Sequence, residues 1–209
     1  MVSTAQTSNT VAEHVRQRIA KFPRGRIFST ENFQMTQGNH YAVQKSLSRL
    51  VEEGAIHRIQ NGIYYKPAIS KVLKGKVIPP NVNEAVKVIA AKNKETIQLH
   101  GGAAANRLGL STQVPMYQVF HTSGITRELP IAGTKVKFVH TNNKKLLRYA
   151  DTNVGLAISA MYYLGKELVT PNVIIKIKER LSEQEFEQLR QANLVSWMEK
   201  ALNVEQKYV

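Results

Sequence analysis

The sequence predicts an α+β fold, and three observations carry the prediction. Apolar residues recur at helical spacing before residue 54, then alternate on either side of Gln60-Asn61-Gly62 in the manner of a hairpin. Three strand-like runs separated by glycines occupy residues 116–141. Beyond Asp151 the spacing is helical to the end.

Each element has a local cause. Val11, Val15, Ile19 and Phe22 mark a first helix, with Thr10 as its cap and Pro23 and Gly25 as its breakers. Ser29 in "STENF" is positioned to cap a short second helix. The turn "MTQG" leads to a third helix from about Asn39, where Val43, Leu47, Leu50 and Val51 share one face and Gly54 ends the run. "AIHRI" and "GIYYK" pair through "QNG", with Ile63 and one of the two tyrosines anchoring the hairpin. Three helices followed by a basic hairpin is the order of a winged helix-turn-helix, here over residues 10–68.

A basic connector at 69–80 ends in Pro79-Pro80 and reads as a linker. Residues 81–205 read as a mixed α/β domain. It opens with a helix in "NVNEAVKVIAAK", which directs Val82, Val86 and Ile89 inward. The strand "ETIQLH" and a helix of small residues, "GGAAANRLGL", come next. "MYQVFHTS", "ITRELPI" and "TKVKFVHT" predict a small antiparallel meander. A helical part closes the chain: "TNVGLAISAMYYLGKEL" with Asp151 as cap, a start at Thr170-Pro171, and capping boxes at Ser182/Glu185 and Ser196/Glu199. Trp197 is expected to anchor that core.

Charge narrows the partner. The 209 residues carry 29 Lys and Arg against 15 Asp and Glu, a formal +14. Residues 1–70 have nine basic and four acidic side chains, 71–150 thirteen and three, and 151–209 seven and eight. An excess confined to the first two thirds points to an anionic polymer. The chain has no cysteine, which excludes disulfides, thiolate zinc sites and cysteine nucleophiles. "MVSTAQTSNTVAEHV" has no signal-peptide core, and no stretch approaches the roughly 18 apolar residues of a membrane span. A cytoplasmic protein is expected.

The third helix carries the functional reading. Opposite its apolar stripe lie Tyr41, Gln44, Lys45, Ser48 and Arg49, donors and cations of the kind that read base edges in a major groove. Thr36 and Asn39 precede it, where phosphate contacts gather, and Arg58, Gln60 and Asn61 lie at or near the hairpin tip. Double-stranded DNA is the expected partner, with the protein's own operator as target. Arg107, Lys135, Lys137, Lys144, Lys145 and Arg148 offer a second basic surface for phosphate or for an acidic protein.

Catalysis finds little support. Asp151 is the sole aspartate, and residues 71–150 hold three glutamates, Glu84, Glu95 and Glu128. Metal-dependent nucleases need convergent carboxylates. "HGGA" at 100–103 lacks a G-x-S-x-G partner, and no phosphate-binding glycine loop occurs. His100, His121 and His140 each end a strand at spacings that match no ligand motif. The expectation is no catalytic residue, no metal and no cofactor.

"VQKSLSRLVEEGAIHRIQNGIYYKP", "GGAAANRLGLSTQVP" and "HTSGITRELPIAGTKVKFVH" together resemble AbiEi-type antitoxins, with "LGLSTQVP" the strongest piece and a span of roughly residues 10–205. The resemblance implies a repressor of its own operon that also neutralises a nucleotidyltransferase-like toxin, by direct binding or only functionally, in abortive phage defence. The residues themselves leave open a protein-interaction winged helix, a mobile-element regulator without a toxin, and a DNA-processing enzyme.

Overall fold

The computed structural model describes residues 10–33, 39–70, 72 and 75–204. The protein is α+β. It divides into two compact units, Met1–Lys92 and Asn93–Val209.

In the first unit, α1 (Val11–Ala20) starts where the Thr10 hydroxyl accepts the Glu13 amide at 3.3 Å. β1 (Ile27–Ser29) leads into one 3-10 turn, Thr30–Phe33. α2 (His40–Glu52) follows, then β2 (His57–Gln60) and β3 (Ile63–Tyr65). The strands form one antiparallel sheet in the order β1-β3-β2. Val15 and Ile19 of α1 meet Val43, Leu47 and Leu50 of α2 in a core closed by Phe22, Phe28, Phe33 and Tyr64. Phe28 stacks on Tyr64 at 5.9 Å. The Lys66 ammonium donates to the carbonyls of Ile19, Ala20 and Phe22 at 2.8–3.0 Å, a cation closing the C-terminal end of α1. Gly54, at φ +71°, adopts the left-handed conformation that lets the chain leave α2 for β2.

Three expectations change here. The expected second helix is a single 3-10 turn among the described residues, started by the Ser29 hydroxyl, which accepts the Glu31 amide at 3.3 Å, and by Asn32, whose side chain accepts the Ser29 amide at 2.8 Å. The 69–80 connector carries a hairpin, β4 (Ala68–Ile69) with β5 (Val77–Ile78). The unit boundary lies after α3 (Val82–Lys92), beyond Pro79-Pro80. Ala85, Val86 and Ile89 are fully buried, and α3 packs on β1, so its apolar stripe belongs to the first unit.

The second unit holds β6 (Ile97–Leu99), α4 (Gly101–Arg107), β7 (Gln118–Thr122), β8 (Arg127–Ile131) and β9 (Thr134–His140). Then come α5 (Lys144–Leu147), α6 (Asn153–Leu168), α7 (Pro171–Arg180), α8 (Glu183–Arg190) and α9 (Ser196–Val204). The sheet order is β6-β7-β9-β8, and β7 runs parallel to β9. The meander is thereby corrected: the chain skips a position after β7, and β9 returns to fill it. An ion pair marks that crossing. Glu95 accepts from both terminal nitrogens of Arg127, at 3.0 and 2.7 Å, and from the Thr122 hydroxyl at 2.9 Å.

α6 is central, as its all-round apolar sequence requires, with Val154 to Met161 buried continuously. Its cap is Thr152, whose hydroxyl accepts the Gly155 amide at 3.1 Å; Asp151 adopts φ +61° one residue earlier. The Ser182/Glu185 capping box is present. The Ser196/Glu199 box is not: Ser196 is already helical, and the Val195 carbonyl receives the Met198 and Glu199 amides. Trp197 packs half-buried against the core. Among the described residues no helix is long and apolar enough to cross a membrane.

At Gly155 a β-carbon would strike the Tyr149 carbonyl and stand 2.7 Å from Gln98 Oε1. Gly155→Ala is therefore expected to destabilise the second unit by about 1–3 kcal/mol, the usual cost of overpacking. Chemical unfolding followed by fluorescence of Trp197, the single tryptophan, would measure it. An unchanged midpoint would contradict the close approach.

Candidate nucleic-acid interface

Burial of the Val43–Leu47–Leu50 stripe turns the opposite side of α2 to solvent. Asn39 starts the helix by accepting the Ala42 amide at 3.0 Å, and the buried Ser46 hydroxyl donates to the Ala42 carbonyl at 2.7 Å. On the outer face Tyr41 is 72% exposed, Gln44, Lys45 and Arg49 are exposed, and Ser48 is half-buried. Asn39 spends its side-chain oxygen on the cap and stays exposed. Thr36 lies outside the described residues.

β2 brings Arg58 to this face. Its guanidinium donates to Ser48 Oγ at 3.3 Å and sits 5.6 Å from the Tyr64 ring centre. Lys45, Ser48, Arg49 and Arg58 are thus brought together on one outward surface. The acidic residues of α2 come late, at Glu52 and just beyond at Glu53, and Arg16 pairs with Glu53 at 2.8 Å. Both Tyr64 and Tyr65 are buried beside Ile63, where one anchoring tyrosine was expected. Tyr65 also contacts the His57 ring, 3.3 Å from hydroxyl to Nδ1.

The hairpin tip does not project as a free wing. β1 runs alongside β3 up to the turn, pairing Ser29 with Ile63, and the Thr30 amide donates to the Gly62 carbonyl at 3.0 Å. Lys92, the last residue of α3, donates to the Asn61 carbonyl at 2.7 Å. Gln60 is half-buried and Asn61 exposed. Sequence reasoning missed Lys92, because α3 read as part of the other domain. It also missed His40, exposed in the first turn of α2 with its ring 3.1 Å from the Gln44 amide nitrogen. The i, i+4 spacing of His40 and Gln44 was the available signal.

The second basic set divides among α4, β9 and α5. Lys135 and Lys137 of β9 both face Glu128 of β8, at 2.7 and 3.8 Å. The Lys135 hydrogen bond holds the Glu128 carboxyl below its usual range and raises the Lys135 ammonium in return. Lys145 donates to the Leu194 carbonyl and Arg148 to that of Ala192, so both cations secure the α8–α9 connection. Arg107 ends α4 and Lys144 begins α5, both exposed.

Two of the three strand-end histidines meet. The His100 and His121 rings lie 4.8 Å apart, both half-buried, whereas His140 is exposed and bonded to Asn142. Burial, then the neighbouring His100, pushes His121 down to about 4, and burial lowers His100. Both rings are neutral near pH 7. Among the described residues no three His, Cys, Asp or Glu side chains gather as for a metal.

A family model, DUF6088, a family of unknown function, matches residues 14–189. The chain belongs to the DUF6088 family. No curated protein matches this DUF6088 member. Among solved structures, the RV2827C protein from Mycobacterium tuberculosis is similar at 13% identity, covering 97% of this chain and 85% of that one, with a TM-score of 0.43.

Two outcomes follow from this geometry. Replacing Lys92 by Met should speed hydrogen exchange of the Thr30 amide, which bonds Gly62 at the turn, while α2 amides keep their protection. Equal exchange in both proteins would show that Lys92 does not hold the turn. Because the folded-state pKa of His121 lies below its ordinary value near 6.5, unfolded chains take up a proton first as pH falls. The stability this group contributes is thus present above about pH 6.5 and is lost as pH falls toward 4. Trp197-monitored unfolding of His121→Gln should show a shallower decline over that window, and a decline as steep as in the parent protein would refute this contribution.

Proposed function

We propose that this DUF6088 member is a non-catalytic, cytoplasmic, sequence-specific DNA-binding repressor. The observation that carries the reading is the Arg58–Ser48 hydrogen bond, which ties the β2 strand to the polar face of α2. It supports one cationic contact surface in which α2 enters the major groove and Arg58 meets the backbone beside it. Tyr41, Gln44 and Ser48 suit base readout, and Lys45, Arg49 and Arg58 suit phosphate neutralisation. With Lys92 holding the turn, Gln60 and Asn61 are better suited to the sugar–phosphate backbone than to the depth of the minor groove.

The antitoxin role, and a nucleotidyltransferase-like toxin as functional partner, come from the AbiEi-type resemblance of "LGLSTQVP" and its surroundings. In that segment Val114 is 80% exposed, with Met116 just after it 85% exposed, which favours a protein contact for the second unit.

The test is a gel shift on duplex DNA from upstream of the protein's own gene. Lys45→Ala with Arg58→Ala should weaken binding at least about ten-fold. The slope of log affinity against log salt should flatten by about two, one for each lost phosphate contact. Circular dichroism should show the double variant folded. Unchanged affinity and slope would overturn this placement of the DNA surface.

A further inference from the structure

A cleft of about 650 Å³ opens in the first unit, outside the α2–β2 face. Its walls are the Pro23–Ile27 turn, Ala68 and Ile78 at the base of the β4–β5 hairpin, and the N-terminal half of α3. The volume falls within the roughly 300–1,000 Å³ range of small-molecule sites.

Two features define what would fill it. Arg24, Arg26 and Lys87 line the cleft from two segments, together with the carboxylate residue Glu84. Among the described residues neither Arg24 nor Arg26 pairs with a carboxylate. Arg26 is instead held 4.1 Å from the Phe22 ring centre, a cation–π contact that fixes the guanidinium without using its N–H groups on an acceptor. α3 also begins here, with the Asn81 side chain accepting the Glu84 amide at 3.2 Å, so its positive dipole end adds to the field. The remaining lining is apolar: Ile78, Pro79 and Val88, with Ile78 still 45% exposed.

We propose that this cleft binds a small organic anion, a phosphate or carboxylate on a compact apolar body. The anionic group would sit among Arg24, Arg26 and Lys87, and the apolar body would cover Ile78 and Val88. The site is independent of the DNA reading, since none of its residues lies on α2 or β2, and either can fail without the other.

Nitrogen–proton NMR of the full chain tests it with four probes: 1-naphthyl phosphate, 1-naphthoate, neutral 1-naphthol and inorganic phosphate. The expected result is saturable shifts at Gly25, Asn81 and Val88 with at least one of the two naphthyl anions, at least ten-fold tighter than with naphthol or inorganic phosphate. Which naphthyl anion binds tighter assigns the headgroup. Arg26→Gln with Lys87→Gln should weaken that binding at least ten-fold, while α2 amide positions report an intact fold. Naphthol binding as well as the anions, insensitivity to the double variant, or no saturable shift at the cleft at millimolar probe would each overturn the proposal.

Discussion

Burial of three residues on one side of α2 sets the frame for the first unit. Val43, Leu47 and Leu50 are sealed against α1 and the phenylalanine cluster. Each such side chain contributes about 1.5–3 kcal/mol when removed from water, so turning the helix by one residue would forfeit several kcal/mol and bury Arg49 in one direction or Gln44 and Ser48 in the other. The polar face has no freedom to point elsewhere. The same constraint places the end of α2, and hence the left-handed turn at Gly54, where β2 can lay Arg58 against Ser48.

Net charge is a poor guide to where a cation acts, and this chain shows why. Its +14 is distributed between cations that stay outward and cations consumed by the fold. Lys66 closes the end of α1, Lys92 closes the hairpin turn, and Lys145 and Arg148 close the α8–α9 connection, all on backbone carbonyls. Lys135 and Lys137 share one glutamate. By contrast Lys45 and Arg49 stand exposed on the face that Arg58 joins from β2. Counting by stretches weights residues 71–150 most heavily, whereas by unit the excess is larger in Met1–Lys92, 14 basic against 5 acidic side chains, than in Asn93–Val209, 15 against 10.

Elements with a strong internal period were legible before any coordinates: α1, α2, α6 and the β2–β3 pair all lie close to where spacing and turn residues put them. β1 was not, because three consecutively buried residues carry no alternation. α3 was found as a helix but given to the wrong unit, since an apolar stripe records that a face is covered and not by what. The parallel junction of β7 and β9 was hidden because glycine turns announce hairpins and say nothing about a strand that returns later to a gap. Within the site, Lys45, Arg49 and Arg58 followed from helical projection, whereas the Ser48 link and the Lys92 clamp are contacts between segments 10 and 31 residues apart.

The most direct measurement places a photo-crosslinking amino acid at Tyr41 in the full chain and, in a second protein, at Lys137, each irradiated with the upstream duplex. Efficient crosslinking from Tyr41 and little from Lys137 is the result expected if the outward face of α2 meets DNA. Crosslinking from Lys137 with none from Tyr41 would contradict it and move the nucleic-acid surface to the second unit.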